Sequence, residues 1–286
     1  MVRLFHILAR LPLWLLHALG GLTGWLAYWG SSGYRRHFAK NAALAGVSPG
    51  DRRKAVAEAG KLVLELPRLW VGKPVDIEWD GAEHIDAAFA AGRGVVFLTP
   101  HLGCFEIAAQ AYAARYGVGY GAEGGKPMTV LFRPPRKAWL TEFVLHARAR
   151  PGLKTAPTTL AGVKQLIKAL KAQECVGLLP DQVPPKSQGQ WAKFFGREAF
   201  TMTLSARLAQ QTGAVVLLAW GERLAGARGY TIHVRPMAQA LDADLSRAVR
   251  QINQAMEQLI MECPSQYLWG YARYKAPKDE ISGVGL

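Results

Sequence analysis

The chain of 286 residues has few cysteines and no repeats, and both features exclude classes of protein. Its three cysteines, Cys104, Cys175 and Cys263, lie far apart and form no Cys-x-x-Cys pair and no Cys/His ligand pattern. We therefore expect reduced packing thiols rather than a disulfide framework, and we expect no metal site. No internal repeat and no low-complexity linker interrupts the sequence, so a solenoid or a disordered chain is not expected.

Acidic side chains are also in short supply. Asp and Glu number 21 against 35 Lys and Arg, which gives a formal net charge of +14. A surface of this sign favours an anionic partner, and nucleic acid, anionic lipid and an acidic carrier protein are the alternatives. No helix-turn-helix, zinc-finger or RNA-binding sheet signature accompanies the charge. We expect no nucleic-acid partner, although a basic membrane-bound binding protein without catalysis remains an alternative of a different class.

The N-terminal region lacks charge over a long stretch. Residues 11–34 carry no formally charged side chain, include Trp14, Trp25 and Trp29, and are followed by a basic cluster at 35–40. About twenty apolar residues are enough to cross a bilayer core as a helix, and basic clusters favour the cytoplasmic side. Residues 1–45 are therefore predicted to be a membrane anchor helix with a basic flank. An interfacial helix and a buried core helix are the alternatives.

Residues 46–286 are predicted to form one α/β domain. Short apolar strands over 94–99, 128–132 and 175–179 alternate with amphipathic segments over 159–174 and 242–263. Such alternation is typical of a mixed, largely parallel sheet flanked by helices. The predicted fold class is this α/β sheet, preceded by the hydrophobic membrane helix.

One strand ends in a pattern that indicates chemistry. The apolar run 94–99 is followed by Pro100 and His101, and Glu106 begins the next helix. His101 is thereby placed in a strand-to-helix turn at the carboxyl edge of the sheet, where α/β folds bind ligands. Glu106, in the first helical turn, can converge on it, so that His101 acts as a general base oriented by a carboxylate. A structural histidine is the alternative.

Several segments carry a resemblance to a known family. His101-x4-Glu106 resembles the His-x4-acid motif of glycerolipid and lipid A acyltransferases. Further segments follow in the order found in the bacterial lipid A lauroyl/myristoyl acyltransferases: Phe132-Arg133-Pro134, the arginines around Arg148, Leu179-Pro180-Asp181-Gln182, Phe194-Phe195-Gly196, and Gln266 to Lys275. Each motif is short, but together they cover almost the whole chain.

The resemblance implies an inner-membrane acyltransferase without a cofactor, whose catalytic domain lies on the cytoplasmic side. Its donor would be an acyl carrier protein thioester, and its acceptor the hydroxyl of a 3-hydroxyacyl chain on a Kdo-bearing lipid A precursor. His101 would deprotonate that hydroxyl and Glu106 would orient His101. The chain has no Gly-x-Ser-x-Gly nucleophile motif, which agrees with direct attack without an acyl-enzyme.

The resemblance also implies substrate-binding residues. Arg133 and Arg148 are expected to bind acceptor phosphates or sugar carboxylates, for which guanidinium groups are well suited. Asp181 is expected to play a supporting role. The lysines of the 159–174 helix either face an acidic carrier protein or form a solvated surface. Another membrane lipid acceptor, such as a lysophospholipid, glycolipid or aminolipid, remains the alternative.

Overall fold

A seven-stranded sheet forms the centre of the molecule. The computed structural model describes residues 2–121, 124–132 and 150–277. The strands are β1 (Ile77–Asp80), β2 (Val95–Leu98), β3 (Met128–Phe132), β4 (Leu153–Pro157), β5 (Cys175–Leu178), β6 (Gly189–Phe194), β7 (Arg197–Met202), β8 (Val215–Arg223) and β9 (Tyr230–Pro236). The sheet order is β1-β9-β8-β2-β5-β3-β4, and β6 and β7 form a separate antiparallel hairpin.

Strand direction confirms the predicted sheet. β8 and β9 pair in the antiparallel direction, and the other neighbouring pairs are parallel. All four residues of β2 are buried, as expected for a central parallel strand that is covered on both faces. The α/β class with a mixed, largely parallel sheet is therefore confirmed.

Helices cover the sheet on both sides. They are α1 (Val2–Arg10), α2 (Leu13–Gly30), α3 (Ser32–Leu44), α4 (Pro49–Val71), α5 (Glu83–Ala90), α6 (Phe105–Tyr112), α7 (Leu160–Lys171), α8 (Leu204–Thr212) and α9 (Leu245–Glu262). Side chains of β2 alternate between two cores. Val96 and Leu98 join the core that contains residues of α7, α8 and α9, whereas Val95 and Phe97 join the core that contains residues of α5 and α6.

Local signals in the sequence account for where helices begin. Ser48 caps α4, because its side-chain oxygen accepts a hydrogen bond from the Asp51 backbone N–H at 3.1 Å. Pro49 occupies the first turn, where its missing N–H costs nothing. Ser31 plays the same capping role for α3, and it separates that helix from α2.

The N-terminal helices differ from the prediction. The charge-free stretch 11–34 does not form one helix, since α2 ends at Gly30 and α3 begins at Ser32. Within the residues described, no helix is both long enough and apolar enough to cross a membrane. The predicted membrane-spanning helix is therefore wrong.

Close packing against α4 explains this difference. Gly20 and Gly24 of α2 meet Gly60 of α4 so closely that a Cβ on Gly60 would lie 2.0 Å from the Gly20 carbonyl oxygen. On the same face His17 bonds to the fully buried Glu65 at 3.0 Å. One face of α2 is thus used for tight contacts inside the protein, which the lack of charge in the sequence does not reveal.

Candidate active site

The turn between β2 and α6 is held in place by backbone contacts. Gly103 has a φ of +58°, and a Cβ at this position would lie 2.1 Å from the Gly221 carbonyl oxygen, so only glycine fits without a shift. The Cys104 N–H donates to the same carbonyl at 2.7 Å, and the Gly103 N–H donates to the Gln266 carbonyl at 3.0 Å. The turn that carries His101 is therefore fixed against β8 and the C-terminal segment.

His101 is paired with Asp181. Leu98 and Leu178, the last residues of the neighbouring strands β2 and β5, are register partners, and His101 and Asp181 each lie three residues further on. His101 Nδ1 lies 2.8 Å from Asp181 Oδ1, and the His101 backbone N–H donates to Asp181 Oδ2 at 2.9 Å. One carboxylate therefore fixes both the ring and the backbone of the histidine.

The environment of Asp181 keeps it ionised. Its side chain is 2% exposed, and the Tyr267 hydroxyl donates to its Oδ2 at 3.1 Å. Burial alone raises the pKa of Asp181, but the charge of the adjacent His101, the hydrogen bonds from that residue and the Arg273 guanidinium bring it below its usual value. A carboxylate accepts hydrogen bonds, so Nδ1 of His101 carries a proton and Nε2 of the neutral ring is the basic atom.

The second ring nitrogen of His101 faces a side-chain amide. Gln182 Nε2 lies 3.0 Å from His101 Nε2. The His101 side chain is 17% exposed, so the basic nitrogen lies close to the surface of the site.

Glu106 lies in the first turn of α6, where the motif places it. The Trp70 indole N–H of α4 donates to Glu106 Oε2 at 3.3 Å. The carboxylate on Nδ1 of His101 is nevertheless Asp181 and not Glu106, to which the sequence analysis gave the orienting contact. The pair is separated by 80 residues, and the available signal was that each member follows the proline after an apolar strand.

The predicted arginine ligands cannot be placed. Arg133 and Arg148 lie outside the described residues. Arg273, in the C-terminal segment that resembles the family, is 2% exposed and donates to the Phe200 carbonyl at 2.6 Å and to the Thr201 hydroxyl at 2.7 Å. It therefore fastens the C-terminal segment to the β6–β7 hairpin.

An apolar cavity begins beside His101. The ring of Phe105 lies 4.9 Å from the His101 ring, centroid to centroid, and lines the cavity. The space between its walls, including the part that is open to solvent, is about 500 Å³. Its walls come from the sheet and from α6, and they include Thr99, Phe97, Ala109, Tyr112, Met128, Leu178, Leu179 and Ile232. A narrow apolar space of this kind suits a hydrocarbon chain.

The buried ion pair between Arg223 and Glu65 contacts the turn that carries His101. The Arg223 guanidinium donates to Glu65 at 2.7–3.0 Å and to the Gly103 carbonyl at 2.9 Å. The hydroxyl of Tyr230 donates to Glu65 Oε2 at 2.8 Å, and His17 contacts the same oxygen. Burial alone raises the pKa of Glu65, but the charge of Arg223 and the hydrogen bonds from His17 and Arg223 lower it to about 2.

Known proteins resemble this chain over most of its length. The family described as "Bacterial lipid A biosynthesis acyltransferase" matches residues 2–276. The chain is 27% identical to the lipid A biosynthesis palmitoleoyltransferase of Escherichia coli K12 over 244 residues, which cover 81% of this chain and 75% of that protein. It is 26% identical to the lipid A biosynthesis lauroyltransferase of the same organism, with 82% and 76% covered.

A relative from another organism gives a similar result. The lipid A biosynthesis acyltransferase of Haemophilus influenzae is 25% identical over 202 residues, covering 71% of this chain and 60% of that protein. The match of the family over nearly all of the chain agrees with the order of motifs in the sequence. The chain is an acyltransferase that belongs to the bacterial lipid A biosynthesis acyltransferase family.

Proposed function

We propose that this enzyme transfers a fatty acyl group from an acyl carrier protein thioester to the hydroxyl of a 3-hydroxyacyl chain on a Kdo-bearing lipid A precursor. The observation that carries the proposal is the His101–Asp181 pair, whose histidine ring contacts Phe105 in the wall of an apolar cavity. A base beside a hydrocarbon-sized space is what transfer of an acyl chain to a hydroxyl requires. The family match supports the acceptor class.

The proposed reaction begins at His101. Nε2 removes the proton of the acceptor hydroxyl while its oxygen attacks the thioester carbonyl carbon. Asp181 holds the ring and stabilises the imidazolium that forms. The tetrahedral intermediate then expels the thiolate, which takes the proton from Nε2. No acyl-enzyme is formed, and no metal or cofactor takes part.

Three further residues are assigned roles in this proposal. Glu106, which accepts a hydrogen bond from Trp70, adds a second negative charge near the imidazolium. Arg133 and Arg148 bind phosphate or carboxylate groups of the acceptor through their guanidinium groups.

A basic surface on α7 supports an acidic carrier protein as donor. Lys164, Lys168 and Lys171 are exposed on this helix. Helix α7 begins directly after β4, so its N-terminal end lies at the sheet edge that carries His101. Leu160, in the first turn, is 72% exposed and supplies an apolar contact. The carrier protein docks here and delivers its flexible thioester arm towards the cavity.

We further propose that the enzyme acts on the cytoplasmic side of the inner membrane and that its N-terminal helices contact anionic lipid. Residues 1–50 contain five Lys and Arg and no Asp or Glu. Half of the large hydrophobic side chains that are exposed among the described residues lie on α1 and α2: Leu4, Ile7, Trp14, Leu19, Leu22, Leu26 and Trp29. Exposed apolar side chains together with positive charge are typical of helices that lie on a membrane surface.

The test is acyl transfer from carrier-protein thioesters to purified Kdo-bearing lipid A precursor, followed by mass spectrometry for the wild type and His101→Ala. We expect transfer by the wild type and a loss of about 10²–10⁴-fold in the variant, the usual contribution of a general base. Lysophosphatidic acid serves as the competing acceptor. Equal rates on both acceptors would reject lipid A specificity, and activity that survives the substitution would reject His101 as the base.

A further inference from the structure

The amide of Gln182 occupies the position that a substrate must take. Proton removal by His101 requires the acceptor hydroxyl to hydrogen-bond to Nε2. In the structure Gln182 Nε2 lies 3.0 Å from that nitrogen. The side chain must therefore give up this contact before the reaction, and it then remains next to the reacting atoms.

The orientation of the amide follows from Asp181. Because the Asp181 carboxylate accepts from Nδ1 at 2.8 Å, the neutral ring presents an unprotonated Nε2. Only the NH2 group of Gln182 can hydrogen-bond to that nitrogen, so the amide is a donor aimed at the centre of the site. A donor at this point is suited to an oxygen that gains negative charge.

Backbone donors of the catalytic turn are already in use. The Leu102 N–H donates to the Pro100 carbonyl at 2.6 Å, and the N–H groups of Gly103 and Cys104 donate to the Gln266 and Gly221 carbonyls. These three groups are therefore not available to a substrate oxygen without breaking the turn. The side chain of Gln182 can donate a hydrogen bond to a substrate oxygen without breaking the turn.

The backbone around Gln182 is anchored while its side chain is not confined. Asp181 is held by His101 and Tyr267, and the Val183 N–H donates to the Tyr271 hydroxyl at 3.1 Å. Gln182 itself is partly exposed. Rotation about its side-chain bonds moves the amide by a few ångströms without a shift of the chain.

We propose that Gln182 is a catalytic residue that stabilises the oxyanion. Its N–H group donates to Nε2 of His101 and leaves when the acceptor hydroxyl binds. As the hydroxyl oxygen bonds to the thioester carbon, the proton passes to Nε2 and the carbonyl oxygen becomes negatively charged. Gln182 donates to that oxygen until the C–S bond breaks and the thiolate takes the proton from Nε2. This role rests on the proposed acyl transfer.

The test compares kcat and KM of the wild type with those of Gln182→Leu and Gln182→Glu, which keep the size of the side chain and remove the donor. Loss of one oxyanion donor lowers kcat by about 10²–10³-fold. KM for donor and acceptor is expected to stay within about threefold, because the interaction forms only in the transition state. Gln254→Leu, at an exposed position on α9, is the matched control and keeps full activity.

A second assay measures hydrolysis of the acyl thioester by water. The same oxyanion forms in hydrolysis and in acyl transfer, so this assay tests Gln182 independently of the lipid acceptor. A wild type that hydrolyses thioester but acylates no lipid A precursor would reject the proposed function, and a Gln182→Leu loss in hydrolysis would still support the oxyanion role. An unchanged kcat in both Gln182 variants, or a rise in KM alone, would overturn it. Thermal unfolding of each variant verifies that the fold is intact.

Discussion

Two of the histidine–carboxylate pairs among the described residues have similar geometry and different surroundings. His101 lies 2.8 Å from Asp181, and His17 lies 3.0 Å from Glu65. Both carboxylates are buried and both have a lowered pKa. The His101 ring, however, is partly exposed beside a cavity, whereas Glu65 is also bonded to Arg223 and Tyr230. A short distance to a carboxylate therefore does not by itself mark a base, which also needs a second ring nitrogen that a substrate can reach, and this is why we propose His101.

The largest effect is expected from Asp181→Asn. An amide in place of the carboxylate no longer fixes the proton on Nδ1 and no longer stabilises the imidazolium. We expect kcat for acyl transfer to fall by about 10²–10⁴-fold, as for loss of general-base catalysis. Steady-state kinetics measures the change, and circular dichroism verifies the fold. A folded variant with near-normal kcat would show that Asp181 is not needed to orient His101.

Disruption of the His17–Glu65 pair is expected to lower the stability of the fold. Glu65→Gln removes the closest carboxylate from the buried Arg223 guanidinium and, among the described residues, leaves only Glu58, at 3.5 Å. Breaking a buried ion pair costs about 3–5 kcal/mol of unfolding free energy, which urea denaturation measures. Glu174→Gln is the control, because its ion pair with the more exposed Lys154 is worth much less. The comparison fails if Glu65→Gln unfolds at the same urea concentration as the wild type.

Acidification is expected to lower the free energy of unfolding by protonating Glu65, with a smaller effect than the Glu65→Gln substitution. The folded pKa of Glu65 is about 2, below the usual value of about 4.3 for an unfolded glutamate. The unfolded chain therefore binds more protons between these values, so the stabilisation is complete above pH ~4.3 and is lost as the pH falls towards ~2.

Thermal melts from pH 7 to pH 3 measure this loss of stability. The same melts of Glu65→Gln show how much of the loss is due to protonation of Glu65. We expect a smaller fall of the melting temperature in the variant than in the wild type. Equal falls would assign the acid sensitivity to other carboxylates, of which Asp181 also has a lowered pKa.

Local patterns in the sequence were sufficient for the elements around the site. The apolar run 94–99 contains β2, and the predicted turn at His101 begins directly after that strand. Ser48 and Pro49 are likewise local signals in the sequence for the start of α4. These signals succeed because capping and burial of a central strand depend on neighbouring residues.

Contacts between distant segments were not visible in the same way. The approach of Asp181 to His101 depends on the pairing of β2 with β5, and the sequence alone does not indicate which strands pair. The spanning helix was wrong because charge counts ignore the contact of Gly20 with Gly60 and the buried Glu65. The arginine ligands Arg133 and Arg148 and the role of Glu106 stay predictions.

The register between β2 and β5 links activity to the completion of folding. Neither strand can pair with the other until segments about 80 residues apart have met, and such non-local parallel pairing forms slowly. A slip of one residue would move Asp181 by about 3.3 Å and turn it to the opposite face of the sheet. A nascent or partly folded chain therefore lacks the His101–Asp181 pair, so the proposed base is not oriented until β2 and β5 have paired.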